Sequence, residues 1–196
     1  MNKGRFEAFS DAVFAFAITL LVLGIGLPEF QHPATDPELV HSLLALWPKG
    51  LAYVLSFAVI GIMWQNHHAL FRLVRVLDRM TVFLNLTLLA VTAFIPFATS
   101  VLGAYPGLRS AELLYGLTLT ASSTAYNLLL RHLVAANCFE SQVSPATVRE
   151  TVVAYRVGWV TYTVAALTSL VVPYLSFALY VLIAGYYLFP RGADRD

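Results

Sequence analysis

Arg5, Ser10 and Asp11 stand at the mouth of an apolar run, Ala12 to Leu23, that carries no charge. Further along, the stretch WQNHH (Trp64, Gln65, Asn66, His67, His68) lies near the end of a second apolar run, and Asn85 interrupts a third. Ionisable and amide groups at such depth in apolar helices are candidates for function, because each needs a partner or water. Arg5 and Asp11 are six residues apart, about 600° around a helix at 100° per residue, so they point to different sides and do not pair along their own helix. Asp11 must therefore meet another helix or a water-filled vestibule. Two chemistries stay open for Ser10 and Asp11: hydrogen bonds that pin the first helix to its neighbours, or direct contact with ions or protons. Trp64 and His68 share a face at i,i+4, whereas the adjacent His67 and His68 diverge. Trp64, Asn66, His67, His68 and Asn85 are the candidate partners for Arg5, Ser10 and Asp11, and a pH-sensing histidine is an open role. A metal centre is not expected, since the two His at i,i+4, or a carboxylate beside them, are lacking.

The elements that must position these groups are membrane helices. Of 196 residues, 59% are hydrophobic and 12% charged, against about 25% charged in a soluble domain. Mean hydropathy is +0.72. A span needs roughly 20 mostly apolar residues, and six such segments fit, at 6–27, 49–70, 80–102, 113–135, 151–172 and 174–188. The expected fold class is all-α, a polytopic membrane protein of six transmembrane helices. It forms one unit over residues 1–196 with no soluble domain. Pro28 is read as the end of the first span, Pro96 as a possible kink in the third, and Ser144-Pro145 as a helix start ahead of the fifth. His41 to Trp47, in the longest link, is read as an interfacial helix. The first span is too long for a signal-peptide core and is expected to be retained. Small residues recur in the spans, Gly61, Gly116 and Gly158 among them, and predict close helix packing. Asn127 is expected to bond between helices and Arg156 to reach the interface.

An even number of spans puts both termini on one side. Ten of the twelve Lys and Arg residues fall on that side, Arg191 and Arg195 among them; only Lys49 and Arg109 fall on the other, with Glu29, Asp36, Glu38 and Glu112. The positive-inside rule then makes both termini cytoplasmic. A net charge of +1 argues against nucleic-acid binding, which needs a basic face. Cys138 is the one cysteine, so no intrachain disulfide is possible, and it reads as an inert thiol at a loop edge. No G-x-S-x-G, H-E-x-x-H or glycine-rich phosphate loop supports an enzyme. The carbonyl filter TVGYG is missing too.

The run Arg5-Phe6-Glu7-Ala8-Phe9-Ser10-Asp11 fits R-x-x-x-F-S-D at the start of a first membrane helix. It resembles the signature of the transmembrane protein 175 family, the potassium channels of lysosomes and their prokaryotic relatives. AITLLVL, Ala17 to Leu23, and WQNHH look like the prokaryotic branch. The resemblance covers the whole chain. It implies a homotetramer in a prokaryotic cell membrane, with a central pore lined by the first helix of each unit. Rotational symmetry closes such a ring. It implies K⁺ and other monovalent cations as the conducted ions, the bilayer and further copies of the chain as partners, and no cofactor. It also places the constriction on Phe16, Leu20 and Leu23, with Thr19 on the same side. Helical geometry agrees, because these four fall within an arc of about 100°; Phe9, Ala12 and Leu27 extend the stripe. Relatives more often carry an aliphatic residue where this chain has Phe16. A ring of four phenylalanines could plug the axis, shift the narrowest point to Leu20 or Leu23, or rotate away. For Arg5, Phe9, Ser10 and Asp11 the resemblance implies a structural network near the inner mouth.

The function these features predict is a cation channel, moderately selective for K⁺, with a hydrophobic constriction in place of a carbonyl filter. The alternative is a secondary transporter or proton-conducting protein that uses Asp11 with His67 or His68. Transporters usually show broken helices and midplane polar sites, whereas here the polar groups gather at one end.

Overall fold

The computed structural model describes residues 2–28 and 35–187. Among these, the chain forms α1 (Lys3–Leu21) continued by a 3-10 turn (Val22–Ile25), then α2 (Asp36–Ala45), α3 (Trp47–Arg72), α4 (Arg79–Ala104), α5 (Arg109–Ala135), α6 (Pro145–Thr168) and α7 (Pro173–Tyr187). The all-α expectation holds. Glu29, Arg191, Arg195 and the last residue of the sixth expected span, Leu188, lie outside the described residues.

Local chemistry sets the helix starts. The Asn2 side chain accepts from the Gly4 N–H at 2.9 Å, Asp78 from Thr81 N–H at 2.7 Å, and Ser144 Oγ from Thr147 N–H at 3.1 Å. Each satisfies one of the donors a first turn leaves open. Thr35 and Glu38 form a capping box on α2, and the Thr35 backbone N–H holds the Glu38 carboxyl below its ordinary pKa. That box starts α2 five residues before His41. The helix ends before Trp47, which opens α3 instead of closing the interfacial segment.

Two boundaries differ from expectation. The first helical segment stops at Ile25 and the chain turns at Gly26, with φ at +69°, so the break comes from a glycine in the left-handed region and not from Pro28. The fifth span is expected from Thr151 to Val172 after a helix start at Ser144-Pro145; α6 does start at Pro145 but ends at Thr168, four residues short of the expected end. The Ser144 cap and Pro145 at the first helical position set that start. Pro96 sits inside α4 without ending it.

The bundle is built by α1 on α3 and α4, α4 on α3 and α5, α5 on α6, and α7 against α6, α3 and α5. Gly116 is where small size is indispensable: a Cβ there would lie 2.8 Å from Ala166 Cα and would collide with the Tyr180 hydroxyl. The Asn127 amide donates to Tyr155 O at 3.0 Å, joining α5 to α6. Arg156 is exposed. Glu112, counted from sequence among the outer charges, is instead buried at 1% exposure, with Oε2 unpartnered among the described residues. On the other side, the α3–α4 and α5–α6 links pair through an antiparallel bridge between Val74 and Phe139. Arg75 N–H donates to Cys138 O at 2.8 Å, and Glu140 N–H to Leu73 O at 2.9 Å. Cys138 is buried beneath this seam, and burial raises its thiol pKa, which keeps it protonated and unreactive.

Lys3–Ile25, α3 and α4 are each long and apolar enough to cross a membrane, and α7 is a shorter apolar helix. α5 and α6 carry more hydroxyls. Four of those hydroxyls turn back onto their own helix, Thr118 onto Leu114 O, Ser122 onto Thr118 O, Thr124 onto Thr120 O and Thr163 onto Trp159 O, while Thr120 Oγ1 is buried without a partner among the described residues. A hydroxyl bonded to the carbonyl four residues back is compatible with an apolar surround.

Candidate functional site on the first helix

α1 is apolar nearly all round, yet it has two distinct faces. Phe6, Ser10, Phe14, Ala17 and Leu21 are buried. Their spacing of three and four residues makes one stripe. On the opposite side Phe9, Phe16 and Leu23 are exposed, Phe16 at 66% and Leu23 at 72%.

The buried stripe carries the polar network. Ser10 Oγ donates to Phe6 O at 3.1 Å and accepts from Asn85 Nδ2 at 3.0 Å. The Asn85 carbonyl oxygen faces His67 Nε2 at 2.8 Å. Since that oxygen can only accept, Nε2 carries the proton. All three residues are at most 1% exposed. Aromatic rings close the site: the His67 ring lies 5.3 Å from Phe14 and 4.5 Å from Phe71, and Phe6 lies 4.9 Å from Phe71. The chain thus joins α1, α3 and α4 through one serine, one histidine and one asparagine, each spending its hydrogen bonds inside protein.

Asp11 takes a different partner. Its Oδ1 accepts from Trp64 Nε1 at 2.9 Å in a partly exposed contact. His68 stacks on Trp64 with ring centroids 6.1 Å apart. Asn66 does not join the network; its backbone carbonyl accepts from Tyr155 Oη at 3.1 Å. Arg5 also stays outside it. Its side chain is exposed, beside a crevice shared with Asn2, Phe6, Phe9 and Leu86. The expected candidates therefore divide into a buried triad, an Asp11–Trp64 pair with His68 stacked on it, and three that stay outside the network, Arg5, Asn66 and the exposed Phe9. No group of three or more metal-ligating side chains occurs among the described residues.

On the exposed face, Thr19 Oγ1 donates to Phe16 O at 2.8 Å. Its hydroxyl proton is used within the helix, which leaves oxygen lone pairs directed outward. Leu20 is only half-exposed, on the edge between the two faces. Sequence reasoning missed two lysines. Lys3 Nζ donates to Val74 O at 2.6 Å, and Lys49 Nζ to Ile25 O at 3.0 Å. Both entered the sequence reading only as charges.

A family model described as endosomal/lysosomal potassium channel TMEM175 matches residues 5–96. A potassium channel of Streptomyces collinus is 41% identical over 197 residues, covering 96% of this chain and 93% of that one. The chain belongs to the TMEM175 family. A second relative, a potassium channel of Chamaesiphon minutus, is 39% identical over 191 residues, covering 95% of this chain and 93% of that one. The crystal structure of a lysosomal potassium-selective channel TMEM175 homolog from Chamaesiphon minutus superposes with a TM-score of 0.85 at 38% identity, covering 95% of this chain and 96% of that one. The endosomal/lysosomal proton channel TMEM175 of Homo sapiens is 41% identical over 103 residues, which is 50% of this chain and 20% of that one. Membership in TMEM175 makes this a membrane protein of an ion-channel family and not an enzyme, and it bears out the reading of the R-x-x-x-F-S-D run.

Proposed function

We propose that the chain forms a cation channel moderately selective for K⁺: a homotetramer of six-span units, with α1 lining a central pore and both termini cytoplasmic in a prokaryotic cell membrane. The observation that carries this reading is the bare stripe of Phe9, Phe16, Thr19 and Leu23 on a helix whose other face is fully engaged. The potassium-channel names of relatives matched over nearly the whole chain support it. The back-bonded hydroxyls of α5 and α6 are compatible with six spans.

In this reading Phe16, Leu20 and Leu23 form a collar that strips water from a passing ion and returns few ligands. K⁺ holds its hydration shell less tightly than Na⁺, so the penalty falls harder on Na⁺, and the outward Thr19 oxygen returns part of it. Such a collar also gates by dewetting. Because Leu20 is half-exposed and Phe16 and Leu23 are more open, the narrowest ring is assigned to Phe16 or Leu23. The buried triad and the Asp11–Trp64 pair act as scaffold, fixing the angle of a helix whose pore-facing side chains have no grip of their own.

The alternative, a transporter or proton conductor using Asp11 with His67 or His68, draws on the name of the human relative, which shares half of this chain. Here His67 bonds Asn85 and Asp11 bonds Trp64, and neither contact makes a relay between the two. The deciding experiment is current through purified protein in planar bilayers under bi-ionic K⁺/Na⁺ conditions. A reversal potential displaced toward K⁺ is expected. A value near zero, or no current, defeats the proposal.

A further inference from the structure

The polar network grips α1 only at its inner end. Ser10 and Leu23 are thirteen residues apart, or about 20 Å along a helix, so a small tilt at Ser10 becomes a large displacement at the outer collar. Something must hold the other end.

Three contacts converge there. Gly24 packs on α4 so closely that a Cβ would lie 3.2 Å from Ser100 Cβ. Lys49, in the first turn of α3, extends its Nζ to the Ile25 carbonyl at 3.0 Å. The backbone of Lys49 is itself seated, because a Cβ at Gly103 would lie 2.8 Å from Lys49 Cα. Ile25 is the last residue of the helical segment, where carbonyls lack partners and carry the negative end of the helix dipole. The lysine therefore supplies both a donor and a positive charge at that end.

We propose that Lys49 is a positioning residue for ion selection. By holding Ile25 O it sets the angle at which Leu23 meets the pore axis. Its ammonium also covers a carbonyl end that would otherwise bind permeating cations. This inference rests on the proposed pore along α1.

The test compares wild type, K49M and K49R as purified protein in planar bilayers. Permeability ratios are read under bi-ionic K⁺/Na⁺ conditions, and conductance is read across a range of K⁺ concentrations. K49M, which keeps the apolar stem, is expected to shift the permeability ratio by about two-fold or more, the scale of one lost hydrogen bond. Its conductance is expected to saturate at lower K⁺. K49R is expected to stay near wild type in both. K49M indistinguishable from wild type in both readouts overturns the proposal. Should K49M not assemble, K49C is reconstituted and modified from the outer side with aminoethyl methanethiosulfonate, which restores an ammonium. Recovery of the wild-type ratio supports the proposal, and no change on modification overturns it. Wild-type protein without K⁺ current is a separate result, which defeats the channel reading before any variant is measured.

Discussion

The carbonyl oxygen of Asn85 lies 2.8 Å from Nε2 of His67, a contact buried on both sides. The same amide donates to Ser10, so Asn85 is the joint between α1 and α3. Asn85→Leu takes the acceptor from the buried His67 Nε2–H and the inter-helix donor from Ser10, which keeps its bond to Phe6 O. The orphaned imidazole N–H costs about 1–3 kcal/mol. The expected result is a large fall in thermal stability of the purified protein and loss of the proposed tetramer on size-exclusion chromatography. A variant that melts with wild type contradicts the joint.

The Asp11–Trp64 bond is partly exposed, so its effect is smaller. Trp64→Phe is expected to lower stability by about 0.5–1.5 kcal/mol, the ordinary worth of one hydrogen bond. Asp11→Asn keeps a carbonyl acceptor for the indole and is expected to assemble and to carry K⁺ normally. If this variant assembles but its currents lose a proton component that wild type has, the relay reading gains at the expense of scaffolding.

Gly116 and Gly61 separate packing from propensity. A side chain at Gly116 meets Tyr180 and Ala166, whereas nothing lies within 4 Å of a Cβ at Gly61. Gly116→Leu is expected to abolish folding, through overpacking that typically costs 1–3 kcal/mol or more. Gly61→Ala is expected to be neutral or to stabilise by up to about 1 kcal/mol, the helix-propensity difference. Expression level and melting temperature of the two variants decide the matter.

Asp78 caps α4 and also meets His132 at 2.8 Å. The Thr81 backbone N–H, then the Thr81 side chain and His132, hold its carboxyl below the ordinary range. A depressed folded-state value means that this stabilisation is present above pH 4 or so and is lost as pH falls through the lower folded value. Asp78→Ala is expected to cost about 1 kcal/mol at neutral pH, as for other N-caps. The difference from wild type is expected to shrink below pH 4. Melting curves of both proteins between pH 7 and pH 3 test this; a gap that stays constant with pH rules out the carboxylate as its source.

Thr19→Val preserves shape and removes the outward oxygen. A loss of about 0.5–1.5 kcal/mol of ligand energy predicts a fall in K⁺ over Na⁺ preference of a few-fold in bi-ionic recordings. An unchanged ratio assigns selection to the apolar rings alone.

The polar residues of the site were legible in the sequence because a serine, a histidine or an asparagine in an apolar helix has to find company. Their pairing was not. Asn66, His67 and His68 are consecutive, and each step turns about 100° around the helix; only the packing of α3 against α1 and α4 shows that His67 is the one facing inward. Asp11 and Ser10 are adjacent and found partners on different helices for the same reason. Glu112 looked like an outer-face charge, since its position in the first turn of α5 says nothing of the Tyr180 hydroxyl that covers its backbone carbonyl at 3.1 Å. The start of α6 was legible at Ser144-Pro145, a capping side chain followed by a proline that suits the first helical position. Lys49 was counted for its sign, whereas its geometry toward Ile25 depends on how close α3 and α4 come at Gly103.

The seam at Val74 and Phe139 has a mechanical effect. Backbone bonds from Arg75 and Glu140 stitch the two links together, so the α3–α4 and α5–α6 hairpins are fastened at that rim and cannot splay there independently. Whatever swing these hairpins undergo within the chain is hinged at the stitched rim and grows toward the opposite ends of the helices, as in a fan whose ribs share one rivet.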